Sequence, residues 1–198
     1  MSLQKYFSQC TSGGWKTSKT TDTQYKIEED DDTLSVIFQG SVSRLDWLYN
    51  FWFSVIPYKK MSNLFFVHAG FLKKYKSIRE DVRFQALKAK SLRKKFKLLG
   101  FSQGGSLAIV AHEDIRSQLG MPVETIVFGA SAVFSFIGGK VLRSRLENVT
   151  RVENGNDIVT KILGWLLYKH YGKVVHIGKP RKWYKLSIKD HTTYKENL

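Results

Sequence analysis

At 198 residues, 42% of them hydrophobic and 14% aromatic, the chain has the apolar content of one folded domain; this excludes a disordered polymer, and the length is short for two domains. A formal net charge of +15 favours phosphate-bearing partners, and the single cysteine, Cys10, excludes an internal disulfide and fits a reducing, cytoplasmic setting. No basic-then-apolar leader and no run of about 18 apolar residues appears, so neither a signal peptide nor a transmembrane segment is expected, and secretion would need a non-classical route.

In chain order, residues 1–20 are rich in Ser, Thr and Gly and are expected to be loose or to pack late. The acidic run Glu28 to Asp32 reads as an exposed turn before a buried strand, "TLSVIFQ" (33–39). "SRLDWLYNFWFSVI" (43–56) reads as a helix apolar on nearly all sides, through Leu45, Trp47, Leu48, Phe51, Trp52, Phe53, Val55 and Ile56. Such a helix is either buried in a core or a cover that opens onto lipid or a partner, and it is too short to span a bilayer. "LFFVH" (64–68) is a second strand, and residues 71–90 read as a helix with an apolar stripe of Leu72, Tyr75, Ile78, Val82 and Leu87. Lys73 to Lys97 holds eleven Lys and Arg against two acids, which suits a phosphate-bearing partner or a solvated helix face. "FKLL" (96–99) is a third strand, followed by a helix over 105–120 that ends at Gly120. Further strands are expected at 124–130, 149–154 and 173–178. Short apolar strands alternating with helices predict a mainly parallel sheet covered on both faces, with function gathered at the carboxyl ends of the strands.

Between the third strand and its helix lies Gly100-Phe101-Ser102-Gln103-Gly104. A bare G-x-S-x-G is weak evidence, but a strand end followed by a helix is where a nucleophile elbow must sit. The turn lifts the serine Oγ above the sheet, and the helix N-terminus offers N–H groups to an oxyanion. Such a serine needs a base, and the base an orienting acid, in the order serine, acid, histidine. Of the five histidines, His68 precedes the serine and His112 is too close to fold back; His170, His176 and His191 come late enough. His176 alternates with apolar neighbours in a strand and reads as a packed histidine. His191, in "KDHTTY" beyond the last strand, is the best-placed base. Asp157 lies just past a strand end in an Asn-Gly-Asn turn and is better placed as the acid than Glu153 inside the strand or Asp190 beside the histidine. Viewed alone, Asp157 reads more simply as an Asx-turn or helix cap. Nothing after residues 173–178 is needed to complete the sheet, so a chain stopped after Asp190 is expected to fold.

Together these pieces resemble the class 3 lipase family over residues 33 to 195. "FQGSVSRLDW" is similar to the family's Phe-Arg-Gly-Ser/Thr segment with its downstream Asp-Trp, "VHAGF" to His-x-Gly-Phe, and "GFSQGGSLA" to Gly-His-Ser-Leu-Gly-Gly-Ala-Leu-Ala. "VFGAS" stands for Phe-Gly-x-Pro, "RVENGNDIV" for Arg-Val-x-Asn-x-x-Asp-x-Val, and "DHTTY" for His-x-x-Tyr. Phe101 and Gln103 replace the usual histidine and leucine, Ser131 stands at the proline of Gly-x-Pro, and Thr160 stands where proline is common. The resemblance implies a single α/β-hydrolase domain over 1–198, with Ser102 as nucleophile, Asp157 as acid and His191 as base. It implies an oxyanion hole from Ser41 and the Gln103 N–H, elbow glycines at Gly100 and Gly104, and a lid after Ser41. No metal or cofactor is implied. The expected function is a serine carboxylic-ester hydrolase acting on lipids through an acyl-enzyme, with the basic surface tilting it toward phospholipid or an anionic membrane. Two alternatives stay open: an acyltransferase with the same triad, and a catalytically idle binder of membrane or nucleic acid through residues 73–97. No recognised nucleic-acid motif accompanies that cluster.

Overall fold

The computed structural model describes residues 2–40, 55–60, 63–161, 167–179 and 185–198. The chain opens with α1 (Leu3–Thr11), β1 (Lys16–Thr17), β2 (Gln24–Glu29), β3 (Thr33–Phe38), β4 (Val55–Lys60), β5 (Asn63–His68), α2 (Ala69–Lys76) and α3 (Arg79–Ser91). It continues with β6 (Lys95–Phe101), α4 (Gln103–Asp114), a π-helical turn (Ile115–Leu119), β7 (Glu124–Phe128), β8 (Phe134–Ser135), α5 (Gly139–Arg145) and β9 (Val149–Asn154). The last elements are α6 (Ile158–Lys161), β10 (Tyr168–Lys169), β11 (Lys173–Ile177), α7 (Ile188–Thr192) and α8 (Tyr194–Asn197).

Among the described residues seven strands form the main sheet in the order β1-β2-β3-β6-β7-β9-β11, parallel from β3 to β11 and antiparallel at the β1–β2–β3 edge. Side chains alternate across a strand, so strands buried on both sides must carry apolar residues at odd and even positions alike. Leu34, Val36, Phe38, Leu98, Val127 and Val149 enter the core beneath α2, α3 and α4. Ile37, Leu99, Ile126, Phe128 and Val152 enter a second core with Tyr6, Phe7 and Cys10 of α1 and Tyr194 of α8. All twelve residues of α4 are buried, which accounts for the near-absence of polarity after Ser106 until His112.

Several sequence expectations change. Strand β5 is not in the main sheet but in a separate antiparallel sheet of order β10-β8-β5-β4, because an apolar run of five residues carries no information about its partner strand. The expected helix over 71–90 is two helices broken at Ser77 and Ile78, where the Ser77 hydroxyl donates to the Lys74 carbonyl. After the break the buried face follows Val82, Gln85, Ala86 and Ala89, and Leu87 points to solvent. Glu28 and Glu29 belong to β2, and the hairpin turn is Asp30 to Asp32, with Asp30 Oδ1 accepting the N–H groups of Asp32 and Thr33. Residues 43–54 of the expected apolar helix lie outside the described residues, and Val55 and Ile56 open β4.

In the N-terminal stretch, residues 3–11 are packed and not loose, while residues 12–20 are largely exposed. Ser2 caps α1 by accepting the Lys5 N–H, and the helix is seated on the sheet with Phe7 edge-on to Phe101 and Phe128 and stacked on Tyr194. The many Ser, Thr and Gly of residues 1–20 obscure three buried side chains, Tyr6, Phe7 and Cys10, which are enough to dock one short helix. The basic cluster is also divided. Lys95 starts β6 and Ser102 follows its end, roughly 20 Å away along seven residues. Lys74 Nζ, by contrast, bonds Gln103 beside Ser102. Lys88 and Lys94 are paired with Glu29, whose carboxyl they hold down at about 2.

Two predictions follow from this packing. Phe7→Ala should lower the unfolding free energy by about 3 kcal/mol in denaturant titration, whereas a residue of a loose terminus would change it by less than about 0.5 kcal/mol. Burial pushes His112 and His170 down to about 4. The unfolded chain therefore binds protons between pH 6.5 and 4 that the native state refuses, so stability rises with pH across this window and is lost as pH falls through it. Urea midpoints measured from pH 7.5 to 4 should drop, and His112→Gln should flatten part of that dependence.

Candidate active site

Ser102 is the hinge between β6 and α4 and sits at φ 56°, ψ −123°, in the left-handed half of backbone space that a side chain normally avoids. The strain is held by close backbone approach. A Cβ on Gly100 would run into the Gly104 carbonyl, and one on Gly104 would run into the carbonyl oxygens of Phe38 and Gln39. With those two side chains absent, α4 begins directly against the ends of β3 and β6, and the Ser102 N–H bonds the Phe128 carbonyl at 2.8 Å. The first N–H groups of α4, beginning with Gln103, have no carbonyl of their own helix to bond, so the turn ends in donors beside the Ser102 hydroxyl.

His191 and Asp157 reach this hydroxyl from two other elements. Asp157 lies between β9 and α6, with Oδ1 accepting the Val159 N–H at 2.8 Å, the Asx-turn that its sequence context suggested. Its Oδ2 accepts from His191 Nδ1 at 2.8 Å and from the Tyr194 hydroxyl at 2.8 Å. His191 Nε2 lies 2.9 Å from Ser102 Oγ. A carboxylate only accepts, so Nδ1 carries the proton and Nε2 is left to accept from the serine. Asp157 is fully buried, and Ser102 and His191 are nearly so. The Phe101 ring stacks on His191 with centroids 4.9 Å apart and planes at 20°, restricting rotation of the imidazole. Burial first, then the Asp157 charge, hold the Tyr194 phenol well above its ordinary range, so its hydroxyl stays a donor.

The remaining candidates sit elsewhere. Glu153 is bonded to Arg151 and Lys161. Asp190 accepts the Asn156 N–H at 2.8 Å. His170 Nε2 donates to the Thr160 carbonyl at 2.7 Å, and His112 lies between Thr125 and the Arg145 carbonyl. His176, read from the sequence as packed, is exposed, because β11 is the edge of the sheet. Ser41 lies outside the described residues. No cluster of three or more His, Cys, Asp or Glu able to hold a metal occurs among the described residues.

Three contributions were not assigned from the sequence. Gly129 has φ +56°, and a Cβ there would stand 2.9 Å from both Asp157 Oδ2 and His191 Cε1, so the space occupied by the His191–Asp157 pair depends on a missing side chain. The signal was available in "VFGAS", a glycine at the carboxyl end of a buried strand. Tyr194 is fully buried, bonds Asp157, and accepts the Asn154 N–H at 3.1 Å. The segment after Asp190 is therefore part of the core, and a chain stopped there would lose Tyr194 and leave Phe7 without its stacking partner, a contribution to stability that the sequence reading did not count. Helix α1 contributes Phe7, Cys10 and Thr11 to a cavity of about 480 Å³ shared with Gln39, Gly40, Phe101, Ser102, His191, Thr192 and Lys195.

Gly129→Ala should displace the imidazole and carboxylate together. Any turnover that uses Ser102 should fall about 10²-fold, the loss typical of an ångström-scale misplacement, while circular dichroism stays native. Turnover within threefold of the parent would show that the close approach has no bearing on the site.

The sequence model of the family described as Lipase (class 3) matches residues 35–166. No curated protein matches the chain. Among solved structures, the lipase–propeptide complex of Rhizomucor miehei aligns with a TM-score of 0.71 at 21% identity, over 83% of this chain and 56% of that one. The lipase of Rhizopus microsporus var. chinensis aligns at 0.72 and 23%, over 83% and 59%. A fungal lipase–inhibitor complex aligns at 0.79 and 20%, over 92% and 79%. The chain thus spans little more than half the length of the first two, and at these identities the likeness is one of fold. A family match over more than half of the sequence, joined to an α/β-hydrolase fold with the serine at its elbow, makes this chain a member of the class 3 lipase family.

Proposed function

We propose that the protein hydrolyses carboxylic esters of lipids, with Ser102 as nucleophile, His191 as general base and Asp157 as its orienting acid. The observation that carries this reading is the unbroken chain of contacts from Ser102 Oγ to His191 Nε2 at 2.9 Å and from His191 Nδ1 to Asp157 Oδ2 at 2.8 Å. Ser102 Oγ attacks the ester carbonyl carbon and its proton passes to Nε2, while Asp157 stabilises the imidazolium that forms. The negative oxygen of the tetrahedral intermediate is met by the Gln103 N–H at the start of α4, joined by the Ser41 hydroxyl that the family resemblance implies. The imidazolium returns its proton to the departing alcohol, leaving an acyl-serine. Water then attacks this ester with His191 again as base and releases the carboxylic acid. The apolar stretch of the cavity lining beside Ser102, made by Phe7, Cys10 and Phe101, supports a lipid-like acyl group over a polar one.

Labelling of the full chain with a fluorophosphonate should modify Ser102, and Ser102→Ala should abolish both labelling and ester turnover, the latter by roughly four to six powers of ten. Asp157→Asn should cost a factor on the order of 10⁴ by admitting the wrong histidine tautomer. An unlabelled wild type without ester turnover would overturn the reading in favour of a binding protein on the same fold.

A further inference from the structure

We propose that helix α1 is the wall against which the acyl chain of the substrate lies, and that the side chain at position 10 sets how long a chain fits. The inference rests on the ester-hydrolase reading and narrows its substrate to esters whose acyl chain can enter beside α1. Phe7, Cys10 and Thr11 are spaced i, i+3, i+4 and so project from one face of the helix. That face lines the cavity of about 480 Å³ that also holds Ser102 and His191, a size within the range of small-molecule sites.

The cavity is graded from mouth to interior. Thr11, Thr192 and Lys195 are exposed and form a polar rim, whereas Phe7 and Cys10 are buried and Phe101 is half-buried, forming an apolar wall in a cavity that they share with the half-buried Gln39 and Gly40. An ester whose carbonyl carbon rests at Ser102 can place a methylene chain inward against these apolar groups and leave its polar alcohol portion toward the rim. Cys10, at 2% exposure, is the most buried residue that α1 gives to this wall. Burial pushes its thiol far above the usual range, so it stays uncharged and serves as a small apolar surface.

The helix is anchored well enough to act as a wall. Gln9 Nε2 donates to Glu28 Oε2 at 2.6 Å, Lys97 Nζ donates to the Tyr6 hydroxyl at 2.7 Å, and Phe7 is clasped by Phe101, Phe128 and Tyr194. A larger side chain at position 10 therefore takes up cavity space before it shifts the helix. A second cavity of about 480 Å³, between Lys90, Arg93, Lys95 and Met121, lies at the opposite end of β6 from Ser102 and cannot seat a chain esterified at that serine.

The test uses the full chain and p-nitrophenyl acetate, butyrate, octanoate and dodecanoate, together with acetate esters of alcohols of the same lengths. Each kcat/KM is normalised to the fraction of protein that a fluorophosphonate labels. Cys10→Leu and Cys10→Phe should lower the octanoate-to-acetate ratio by about tenfold or more, the discrimination that one or two methylenes command in an apolar pocket. Cys10→Ala, which enlarges the cavity and puts little demand on folding, should move the optimum to longer chains. If all acyl lengths change by a common factor in the Ala and Leu variants, or if the variants alter the dependence on alcohol length instead, the assignment is overturned. Failure of the ester-hydrolase reading itself looks different, since the wild type would then be unlabelled and would turn over none of the esters.

Discussion

The structure around Ser102 depends on one buried carboxylate. Asp157 has no exposed surface, and an unpaired charge in such a place would cost several kcal/mol. It is tolerated because three donors converge on it: the Val159 N–H, His191 Nδ1 and the Tyr194 hydroxyl. Each donor belongs to a different helix, so satisfying the one charge on the loop after β9 ties α6, α7 and α8 together. The connection runs further, because the Tyr194 ring stacks on Phe7 and so couples the last helix of the chain to the first. Both termini are therefore structural, although neither adds a strand to the parallel part of the sheet.

A second constraint is the lack of side chains at three points. Gly100 and Gly104 allow the serine turn to close, and Gly129 leaves room for His191 and Asp157 from the next strand over. The positive φ of Ser102 is sustained by this packing, with its N–H bonded across to the Phe128 carbonyl. The elbow after β6, the glycine after β7 and the acid after β9 follow three adjacent parallel strands. Their carboxyl ends lie side by side, which is the reason such sheets gather function at that edge.

The distribution of charge follows the same axis. The basic run from Lys73 to Lys97 crosses the length of α2, α3 and the start of β6, so it divides between the two ends of the sheet instead of forming one patch. Lys74 is drawn into the neighbourhood of Ser102 by Asp22 and Gln103, and Lys88 and Lys94 are taken up by Glu29. A count of cations along the sequence overstates the free positive surface, because acids from β2, the loop before it, α4 and β7 pair with Lys88, Lys94, Lys74, Arg83 and Lys97.

The sequence by itself determined the alternation of strands and helices, the elbow and the order serine, acid, histidine, because these are local patterns: a two-residue period, a glycine-bounded turn, and position along the chain. From those patterns Ser102, Asp157 and His191 could be named as residues that the carboxyl edge of a parallel sheet would bring near one another. Only the tertiary structure decided which strands pair, so β5 left the main sheet for a smaller antiparallel one and β11 became an edge that exposes His176. It alone seated α1, since three buried residues within a polar stretch have no meaning until a complementary surface is present. It alone gave Tyr194 and Gly129 their parts, one as a donor and the other as an absence. Contacts of this kind join residues dozens of positions apart, and no pattern of neighbours along the chain can encode them.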